Sequence, residues 1–317
     1  SQGTVITDWR NIAIFIFDAT LNNTVRPSQT LTNSAGLLNY ASVEGGPDFL
    51  STSLTDTASV VISAPVFSKQ LVNTEIVTGG NSSTQVVAGE LLTYTIVITL
   101  PEGTIPNLLV SDTLGSSSGA LAYVDCVSVT ASPDVTRTGG FDCSNPTATV
   151  TNNGRNVLWS FGDVLNSNTV NASTERITVT YRAVMLNVAS PSSTQRRNSA
   201  VVSWTGTTLP AQQVTVTRID PAISMRKSLA PSTMDAGDRV TYTIVLSDNV
   251  VAAYDALITD PLPVAAGIGS LLQNPVLSVT DNAPTAGFTS TQVSLAHFSL
   301  NGTNATGYTL VTNTPFT

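Results

Sequence analysis

The stretch Ala88–Ile98 reads Ala-Gly-Glu-Leu-Leu-Thr-Tyr-Thr-Ile-Val-Ile, and a close copy at Ala236–Leu246 reads Ala-Gly-Asp-Arg-Val-Thr-Tyr-Thr-Ile-Val-Leu. In each copy a Gly–acid turn leads into a strand rich in β-branched residues, with Tyr at the same position. A lysine precedes each copy (Lys69 and Lys227), and a short strand that carries an Asp follows it. Two copies of one unit indicate a chain built from repeats.

A second set of matching segments shows where the repeats are divided. Asn33 and Asn198 are separated by about the same distance as Lys69 and Lys227, so one repeat length of about 160 residues covers both pairs. The matching strand patterns are 12–21 with 177–187, 31–40 with 197–204, and 57–64 with 214–218, and further strands are predicted at 275–280, 292–300 and 309–312.

These matches predict an all-β chain of tandem Ig-like antiparallel β-sandwiches, in which the terminal sandwiches are incomplete. Residues 1–64 are expected to form the C-terminal half of a repeat, 65–219 a complete repeat, and 220–317 the N-terminal half of a further repeat. A half sandwich leaves an apolar face and strand edges uncovered. We expect completion either by flanking sequence in a longer chain or by strands from a neighbouring copy.

Composition and charge narrow the class of protein. The chain has 317 residues, enough for two ordinary domains, and no long run keeps a helical period. A net charge of −8 without a basic stripe argues against a nucleic-acid partner. No run approaches the roughly 18–20 apolar residues that span a membrane. Because the N-terminus lacks a leader pattern, any signal peptide is either removed or lies upstream.

The two cysteines, Cys126 and Cys143, lie in a stretch rich in Ser, Asp, Pro and Gly. We predict a local disulfide, and free thiols are the alternative. A metal site is a poor third choice, because no His lies nearby. A disulfide implies an oxidising, extracytoplasmic setting.

Five Asn-x-Ser/Thr sequons are candidates for glycosylation of an exposed surface. In a chain this rich in Asn, Ser and Thr, chance alone supplies several of them. They are Asn22, Asn81, Asn171, Asn301 and Asn304.

Strand alternation places three polar residues of the complete repeat in the core. Lys69, Asp112 and Asn198 each share strand parity with apolar neighbours, and residues two apart lie on one face of a strand. The corresponding residues of the two half repeats are Lys227, Asp260 and Asn33.

This combination of residues favours a self-directed reaction. Burial lowers the pKa of a lysine and raises that of an aspartic acid, so the amine becomes a nucleophile and the acid a proton carrier. If Lys69 attacks the Asn198 carboxamide, ammonia leaves and a Lys–Asn isopeptide bond remains. The alternative is a buried Lys–Asp ion pair capped by Asn, with no covalent bond. Lys227, Asp260 and Asn33 would meet only across a junction, where a bond between chains would cross-link successive units.

The pattern of a Lys-bearing first strand, a Gly-acid-x-x-Thr-Tyr-Thr-Ile strand, Asp-Thr/Pro-Leu and an Asn-Ser-Ala strand resembles two related bacterial surface modules. These are the fimbrial isopeptide-forming domain of pilin backbones and the conserved Ig-like repeat of large surface proteins. The resemblance implies that Lys69 bonds to Asn198 with help from Asp112. Glu90 and Asp238 are weaker candidates for the acid, because each follows a turn glycine and is expected to face solvent.

Together these features predict a structural, non-enzymatic protein of the cell surface that polymerises or extends as a filament, pilus or stalk. Its partner would be itself, as a homopolymer or as tandem repeats of one long chain. No cofactor or metal is expected, and the single histidine offers little for a catalytic site. Trp159, Trp204 and Tyr181 are expected to fill the sandwich core, and an extra residue before Tyr40 suggests a bulge in the strand at 31–40. The alternative is an adhesin whose loops bind a host ligand or glycan, with the Cys126–Cys143 loop as the best candidate.

Overall fold

The computed structural model describes residues 14–76, 82–115, 120–170, 174–188, 194–247, 255–266, 268–280, 294–303 and 305–313. In these ranges the fold is nearly all β, with a single 3-10 turn at Leu295–His297 and no α-helix. The predicted fold class is therefore confirmed. In chain order the strands are β1 (Thr30–Leu37), β2 (Leu54–Val61), β3 (Val66–Thr74), β4 (Gln85–Val86), β5 (Leu91–Leu100), β6 (Gly103–Leu114), β7 (Leu121–Ala131), β8 (Val135–Arg137), β9 (Thr149–Thr151), β10 (Asn156–Asn166), β11 (Glu175–Met185), β12 (Thr194–Trp204), β13 (Thr207–Thr208), β14 (Gln212–Arg218), β15 (Ser224–Ala230), β16 (Thr241–Ser247), β17 (Thr259–Pro261), β18 (Val264–Ala265), β19 (Gly269–Ser270), β20 (Phe298–Thr303) and β21 (Gly307–Thr312).

Two sheets form the central body of the molecule. One sheet has four antiparallel strands in the order β3-β5-β11-β7. The other has eight strands along the path β4-β14-β12-β6-β10-β8, with β13 and β9 attached to β12 and β10. Only the short β4–β14 pairing among these is parallel. This is the arrangement of a β-sandwich, in which the two inner faces share one core.

Side-chain alternation explains why these strands form a sandwich. Along β5 every second residue is buried, and β11 shows the same period. Aromatic rings from opposite sheets meet in the core, where the Trp159 and Tyr181 ring centroids lie 5.3 Å apart. Trp159, Tyr181 and Trp204 are 0%, 0% and 4% exposed, so their prediction as core residues is confirmed.

The apolar core lies almost entirely within the central body. Apart from Leu262, Pro27 and Pro65, every buried apolar side chain that the structure describes falls between Val86 and Val216. The strands outside the body form small separate sheets: β1–β2, β15–β16, β17–β21–β20 and β18–β19. Large apolar side chains on and near these strands are exposed, for example Phe15 at 89% and Met225 at 64%. The domain boundaries at 64/65 and 219/220 stay predictions.

Several predicted strands differ from those observed, and the reason is a missing neighbour. The pattern at 12–21 predicts a strand, but its described part, 14–21, is not paired and has no strand conformation. The pattern at 275–280 is likewise not a strand. A strand needs hydrogen bonds to an adjacent strand, and neither segment finds one in the described part of the chain.

The remaining boundary differences are smaller. β1 ends at Leu37 rather than at residue 40, and its pairing with β2 has no register shift, so the bulge expected before Tyr40 is wrong. Within the pattern at 292–300, residues 292 and 293 lie outside the described ranges, and the 3-10 turn at Leu295–His297 precedes β20.

The repeated Gly–acid turn has a clear backbone cause. Gly89 and Gly237 have φ of +88° and +100°, a left-handed conformation that favours glycine. The acid that follows ties the turn together: the Glu90 carboxylate accepts hydrogen bonds from the Val87 and Ile76 backbone N–H groups at 2.9 and 3.0 Å. The expectation that Glu90 faces solvent is wrong, since it is 1% exposed.

The predicted disulfide is present. Cys126 of β7 and Cys143 in the following loop are bonded, with sulfur atoms 2.06 Å apart. The cross-link closes a loop between positions separated by 17 in sequence. It therefore restricts the unfolded chain in the region beside β7.

Removing this disulfide should lower stability without changing the fold. For a loop of this size the chain-entropy model gives about 3 kcal/mol. We expect the Cys126→Ser/Cys143→Ser double variant to lose about that much free energy of unfolding, as measured by chemical denaturation. Wild-type protein in reducing agent should match the variant. An unchanged midpoint in both samples would contradict a stabilising disulfide.

Candidate functional site

A cluster of polar side chains is buried between the two sheets of the central body. Lys69 of β3, Tyr94 of β5 and Tyr181 of β11 come from the four-stranded sheet. Asp112 of β6 and Asn198 of β12 come from the facing sheet. Lys69 is 7% exposed and the other four are 0% exposed. Strand alternation turns each of these side chains inward. One sheet therefore supplies the Lys69 amine, and the facing sheet supplies the Asp112 carboxylate and the Asn198 carboxamide.

The centre of the cluster is a buried ion pair. Lys69 Nζ lies 2.6 Å from Asp112 Oδ2, and both side chains are fully enclosed. The same nitrogen lies 5.3 Å from the Tyr94 ring centroid and 5.4 Å from the Tyr181 ring centroid. These aromatic faces favour a cation, but they exclude the water that would otherwise solvate it.

The Tyr181 hydroxyl joins the ion pair to the asparagine. It accepts a hydrogen bond from Lys69 Nζ at 2.8 Å and another from Asn198 Nδ2 at 2.9 Å. It donates its own proton to Asp112 Oδ2. The amine and the carboxamide therefore both contact one oxygen atom.

Burial shifts the pKa values of the pair toward the neutral forms. Desolvation lowers the pKa of Lys69 from 10.5 to about 8, although the charge of Asp112 opposes this change. Desolvation also raises the pKa of Asp112, against the opposing effects of Lys69 and Tyr181. Both shifts favour moving the proton from the ammonium to the carboxylate. Such a transfer would give a neutral amine beside a carboxylic acid.

Three buried polar atoms of the cluster lack a hydrogen-bond partner among the described residues: the Tyr94 hydroxyl, Asp112 Oδ1 and Asn198 Oδ1. A buried polar atom left unsatisfied costs about 1–3 kcal/mol. Protonation of Asp112 would convert one of these acceptors into a donor. The arrangement is therefore suited to moving a proton toward the Asn198 carbonyl oxygen.

Sequence reasoning found the lysine, the aspartate and the asparagine, but missed the hydroxyl that connects them. Tyr181 was predicted only as a core-filling ring. A buried Tyr hydroxyl usually finds a polar partner. Both Gly–acid strands carry a tyrosine at the same position, Tyr94 in one and Tyr242 in the other. This shared position indicated that a phenol belongs in the core.

The half repeats contain a partial version of the cluster. Lys227 Nζ lies 2.6 Å from Asp260 Oδ1 and 4.9 Å from the Tyr242 ring centroid. The Lys227 side chain is 40% exposed, in contrast to Lys69. Asn33 is exposed on β1, and no described hydrogen bond or strand pairing joins it to Lys227 or Asp260. The structure thus brings two of these three candidates together.

The other predicted sites have simple locations. Asn22 and Asn301 are exposed, as glycosylation requires, whereas Asn81, Asn171 and Asn304 lie outside the described residues. In the described ranges, no group of three or more His, Cys, Asp or Glu side chains could hold a metal ion. Over the same ranges, no helix has the length and apolar character needed to cross a membrane.

Comparison with known proteins gives a likeness at the level of fold. No protein-family model matches the sequence, and no curated protein matches it. The chain is similar to the C-terminal domain of the AgI/II polypeptide BspA of Streptococcus agalactiae, with 12% identity and a TM-score of 0.39 over 61% of this chain and 59% of that one. It therefore spans about 60% of the length of that structure.

Two pilins are also similar to this chain. The full-length major pilin SpaD of Corynebacterium diphtheriae has 14% identity and a TM-score of 0.31 over 51% of this chain and 36% of that one. BcpA, the major pilin subunit of Bacillus cereus, has 13% identity and a TM-score of 0.34 over 77% of this chain and 73% of that one. These identities and TM-scores are too low to support an argument about function. The functional proposal therefore rests on the buried cluster alone.

Because the Asp112 carboxyl is buried, we can predict how the free energy of unfolding depends on pH in a variant that lacks the Lys69 amine. In a Lys69→Met variant, Asp112 loses the charge that holds its pKa down, so the pKa rises further above 3.8. At pH values between the pKa of Asp112 in the unfolded chain and its higher pKa in the folded protein, the folded state binds one proton more than the unfolded state. The free energy of unfolding therefore falls as pH rises. The expected loss is about 1.4 kcal/mol per pH unit in that window.

Denaturant unfolding at pH 4 to 8 tests this expectation. Lys69→Met should be less stable at pH 7 than at pH 5, while the Lys69→Met/Asp112→Asn variant should lack this dependence. Equal slopes for both variants would mean that Asp112 does not titrate in the folded protein with a raised pKa.

Proposed function

We propose that this protein is a structural, non-enzymatic unit of an extracellular filament, pilus or stalk, and that its central body closes a Lys69–Asn198 isopeptide bond. The observation that supports this proposal is the enclosed cluster in which Lys69 and Asn198 contact the same Tyr181 hydroxyl and Asp112 binds the amine. A reaction confined to the protein's own core leaves no room for a substrate. Its product is a stronger fold.

The chemistry needs only groups already present in the cluster. Asp112 takes a proton from the Lys69 ammonium, and the neutral Nζ attacks Asn198 Cγ. Asp112 lends this proton to the amide oxygen and takes it back as the tetrahedral intermediate collapses, while a proton from Nζ passes to Nδ2, so Asp112 ends protonated. The Nζ–Cγ bond forms as the Cγ–Nδ2 bond breaks, and ammonia leaves. One amide replaces another, with no oxidant or cofactor.

The alternative, a permanent ion pair, explains the cluster less well. Removing two charges from water is expensive, and a buried pair is stable only when its remaining hydrogen-bonding groups are satisfied. Here Asp112 Oδ1 and Asn198 Oδ1 lack partners. The bond would remove the ammonium and leave a protonated acid able to donate to the new carbonyl. Burial would also keep water from hydrolysing the product.

The position of the bond suits a protein under tension. Lys69 lies on β3, where the chain enters the body, and Asn198 lies on β12, near the exit. A bond between them places the intervening chain, including β5 to β11, outside the path of a pulling force. In the chain-entropy model, a cross-link that closes about 130 residues adds about 5 kcal/mol. The disulfide at Cys126–Cys143 fits the same oxidising, extracellular setting.

Intact-mass spectrometry tests the bond directly. We expect a mass about 17 Da below that of the disulfide-bonded sequence for each Lys–Asn bond, because each bond releases one ammonia. Lys69→Ala and Asp112→Asn should each restore the 17 Da assigned to the central body. The first variant removes the nucleophile, and the second removes the proton carrier while keeping its shape.

The chain offers a matched control, because Lys69 and Lys227 are its only lysines. Lys227→Ala should leave the mass loss of the central body intact. A wild-type mass equal to that of the disulfide-bonded sequence would reject the Lys69–Asn198 bond and leave the ion pair as the correct interpretation.

A further inference from the structure

The two ends of the chain reproduce complementary parts of the central body, down to the strand register. In the β1–β2 hairpin Asn33 lies opposite Ala58, and in the body Asn198 of β12 lies opposite Val214 of β14. Aligning the prolines that follow the two strands, Pro65 and Pro221, makes Ala58 the counterpart of Val214. The hairpin is therefore an isolated copy of β12–β14.

The C-terminal strands reproduce the other part. Lys227 lies opposite Ile244 in the β15–β16 pair, just as Lys69 lies opposite Ile96 in the β3–β5 pair. Asp260 of β17 pairs with β21, as Asp112 of β6 pairs with β10. We call residues 224–312 the acceptor and residues 14–61 the donor.

The acceptor lacks the strands that complete the central body. In the body, β5 pairs with β11 as well as β3, and β6 pairs with β12 as well as β10. In the acceptor, β16 pairs only with β15 and β17 only with β21, within the described ranges. The missing strands correspond to residues 14–20 and to β1 of the donor.

The apolar faces of donor and acceptor are exposed where the body is closed. On the acceptor, Met225 and Leu229 flank Lys227 on its own strand face and are 64% and 46% exposed. An open depression lies beside them, lined by Lys227, Ser228, Leu229, Ser232 and Tyr242. On the donor, Ile14 and Ile16, which share one strand parity, are 76% and 87% exposed. Covering such faces is the main favourable contribution that association offers.

We propose that the donor of one copy completes the acceptor of a second copy by strand addition. The pairing of β12 with β6 places Asn198 opposite Leu114 and Ala200 opposite Asp112. By the same register, β1 would place Asn33 opposite Leu262 and Ala35 opposite Asp260. Residues 14–20 would pair with β16 as β11 pairs with β5. This inference extends the proposed function, because it names the partner as another copy of this chain.

The path of the chain argues against completion within one copy. It enters the body at Val66, opposite Thr99, beside the Glu175 end of β11. It leaves at Arg218, whose guanidinium binds the Val188 carbonyl beyond the Met185 end of β11. The 11 residues of β11 span about 36 Å.

The connecting segments are too short to bridge that length. Between β2 and β3 lie residues 62–65, and between β14 and β15 lie residues 219–223. Extended chain reaches about 3.5 Å per residue, so the links from Val61 to Val66 and from Arg218 to Ser224 span at most about 18 and 21 Å, respectively. The donor contacts the entry end of the body directly, because the Thr104 backbone N–H donates a hydrogen bond to the Val25 carbonyl at 3.0 Å. Donor and acceptor therefore lie at opposite ends of the body, and their contact is head-to-tail, which generates a filament.

The junction also assembles the components of a covalent link. Docking would bring the Asn33 carboxamide of one copy to the Lys227–Asp260 pair of the next and would cover Lys227. The Lys227 Nζ–Asn33 Cγ bond would form while the Asn33 Cγ–Nδ2 bond breaks and ammonia leaves, with Asp260 carrying the proton. Ile16 stands where the body has Tyr181, so the junction has no counterpart of that particular hydroxyl.

Engineered cysteines test the docking and its register. The pairing of Val201 with Ser111 in the body predicts that Gly36 lies opposite Thr259 across the junction. A β-carbon at Gly36 meets only ordinary contacts of 3.6 Å or more. In a Lys227→Ala background, Gly36→Cys/Thr259→Cys should form a ladder of disulfide-linked multimers on denaturing gels, and reductant should remove it.

The matched control places a cysteine one strand further from the junction. Thr55 lies on β2, opposite Gly36. Adjacent strands are about 4.8 Å apart, so Thr55→Cys/Thr259→Cys exceeds disulfide range and should give no ladder. Equal ladders from both pairs, or monomers from both, would overturn the docking.

A mixing experiment tests the covalent link separately. The Asn33→Ala variant keeps a working acceptor but lacks the donor amide, and the Lys227→Ala variant keeps the donor amide but lacks the acceptor amine. Neither variant should therefore form a covalent multimer alone. Mixed, they should form covalent dimers and nothing larger, with a mass about 17 Da below the sum of the two chains. If the mixture stays unlinked, the Lys227–Asn33 bond is wrong. Since the central mass loss depends on Lys69, failure here is distinguishable from failure of the Lys69–Asn198 bond.

Discussion

The burial of the Lys69 ammonium against Asp112, between two apolar sheets, is the interaction on which the rest of this structure depends. Both side chains are fully enclosed, with Nζ and Oδ2 2.6 Å apart. A charge in that position is tolerable only if a partner lies within contact distance and water is kept out. The sandwich meets both conditions by supplying the amine from one sheet and the carboxylate from the other.

The same enclosure that makes the pair expensive makes it reactive. Desolvation lowers the pKa of Lys69 and raises the pKa of Asp112, so both shifts favour the neutral pair. The Tyr181 hydroxyl holds the Asn198 amide beside that pair. In the proposed account, stability, reactivity and mechanical strength all arise from one arrangement of strands. In the half repeats the same pair is left open to solvent at Lys227, and a second copy would close it.

Much of the site could be predicted from the sequence because strand alternation is a local property. Lys69, Asp112 and Asn198 turn inward whatever the strand order, since residues two apart always share a face. The Tyr181 hydroxyl and the Glu90 carboxylate depend on where a side chain ends in three dimensions, so the sequence alone misplaced them. The strands expected at 12–21 and 275–280 failed for a different reason. Strand formation requires a partner edge, and a pattern read along one chain does not show whether that edge is present.

Peptide mapping tests the central claim most directly. The chain should be cleaved under denaturing conditions, after reduction of the Cys126–Cys143 disulfide, and its peptides sequenced by fragmentation. The account predicts one branched product in which the peptide containing Lys69 is joined to the peptide containing Asn198 and lacks one ammonia. Recovery of Lys69 and Asn198 in separate, unmodified peptides would contradict it.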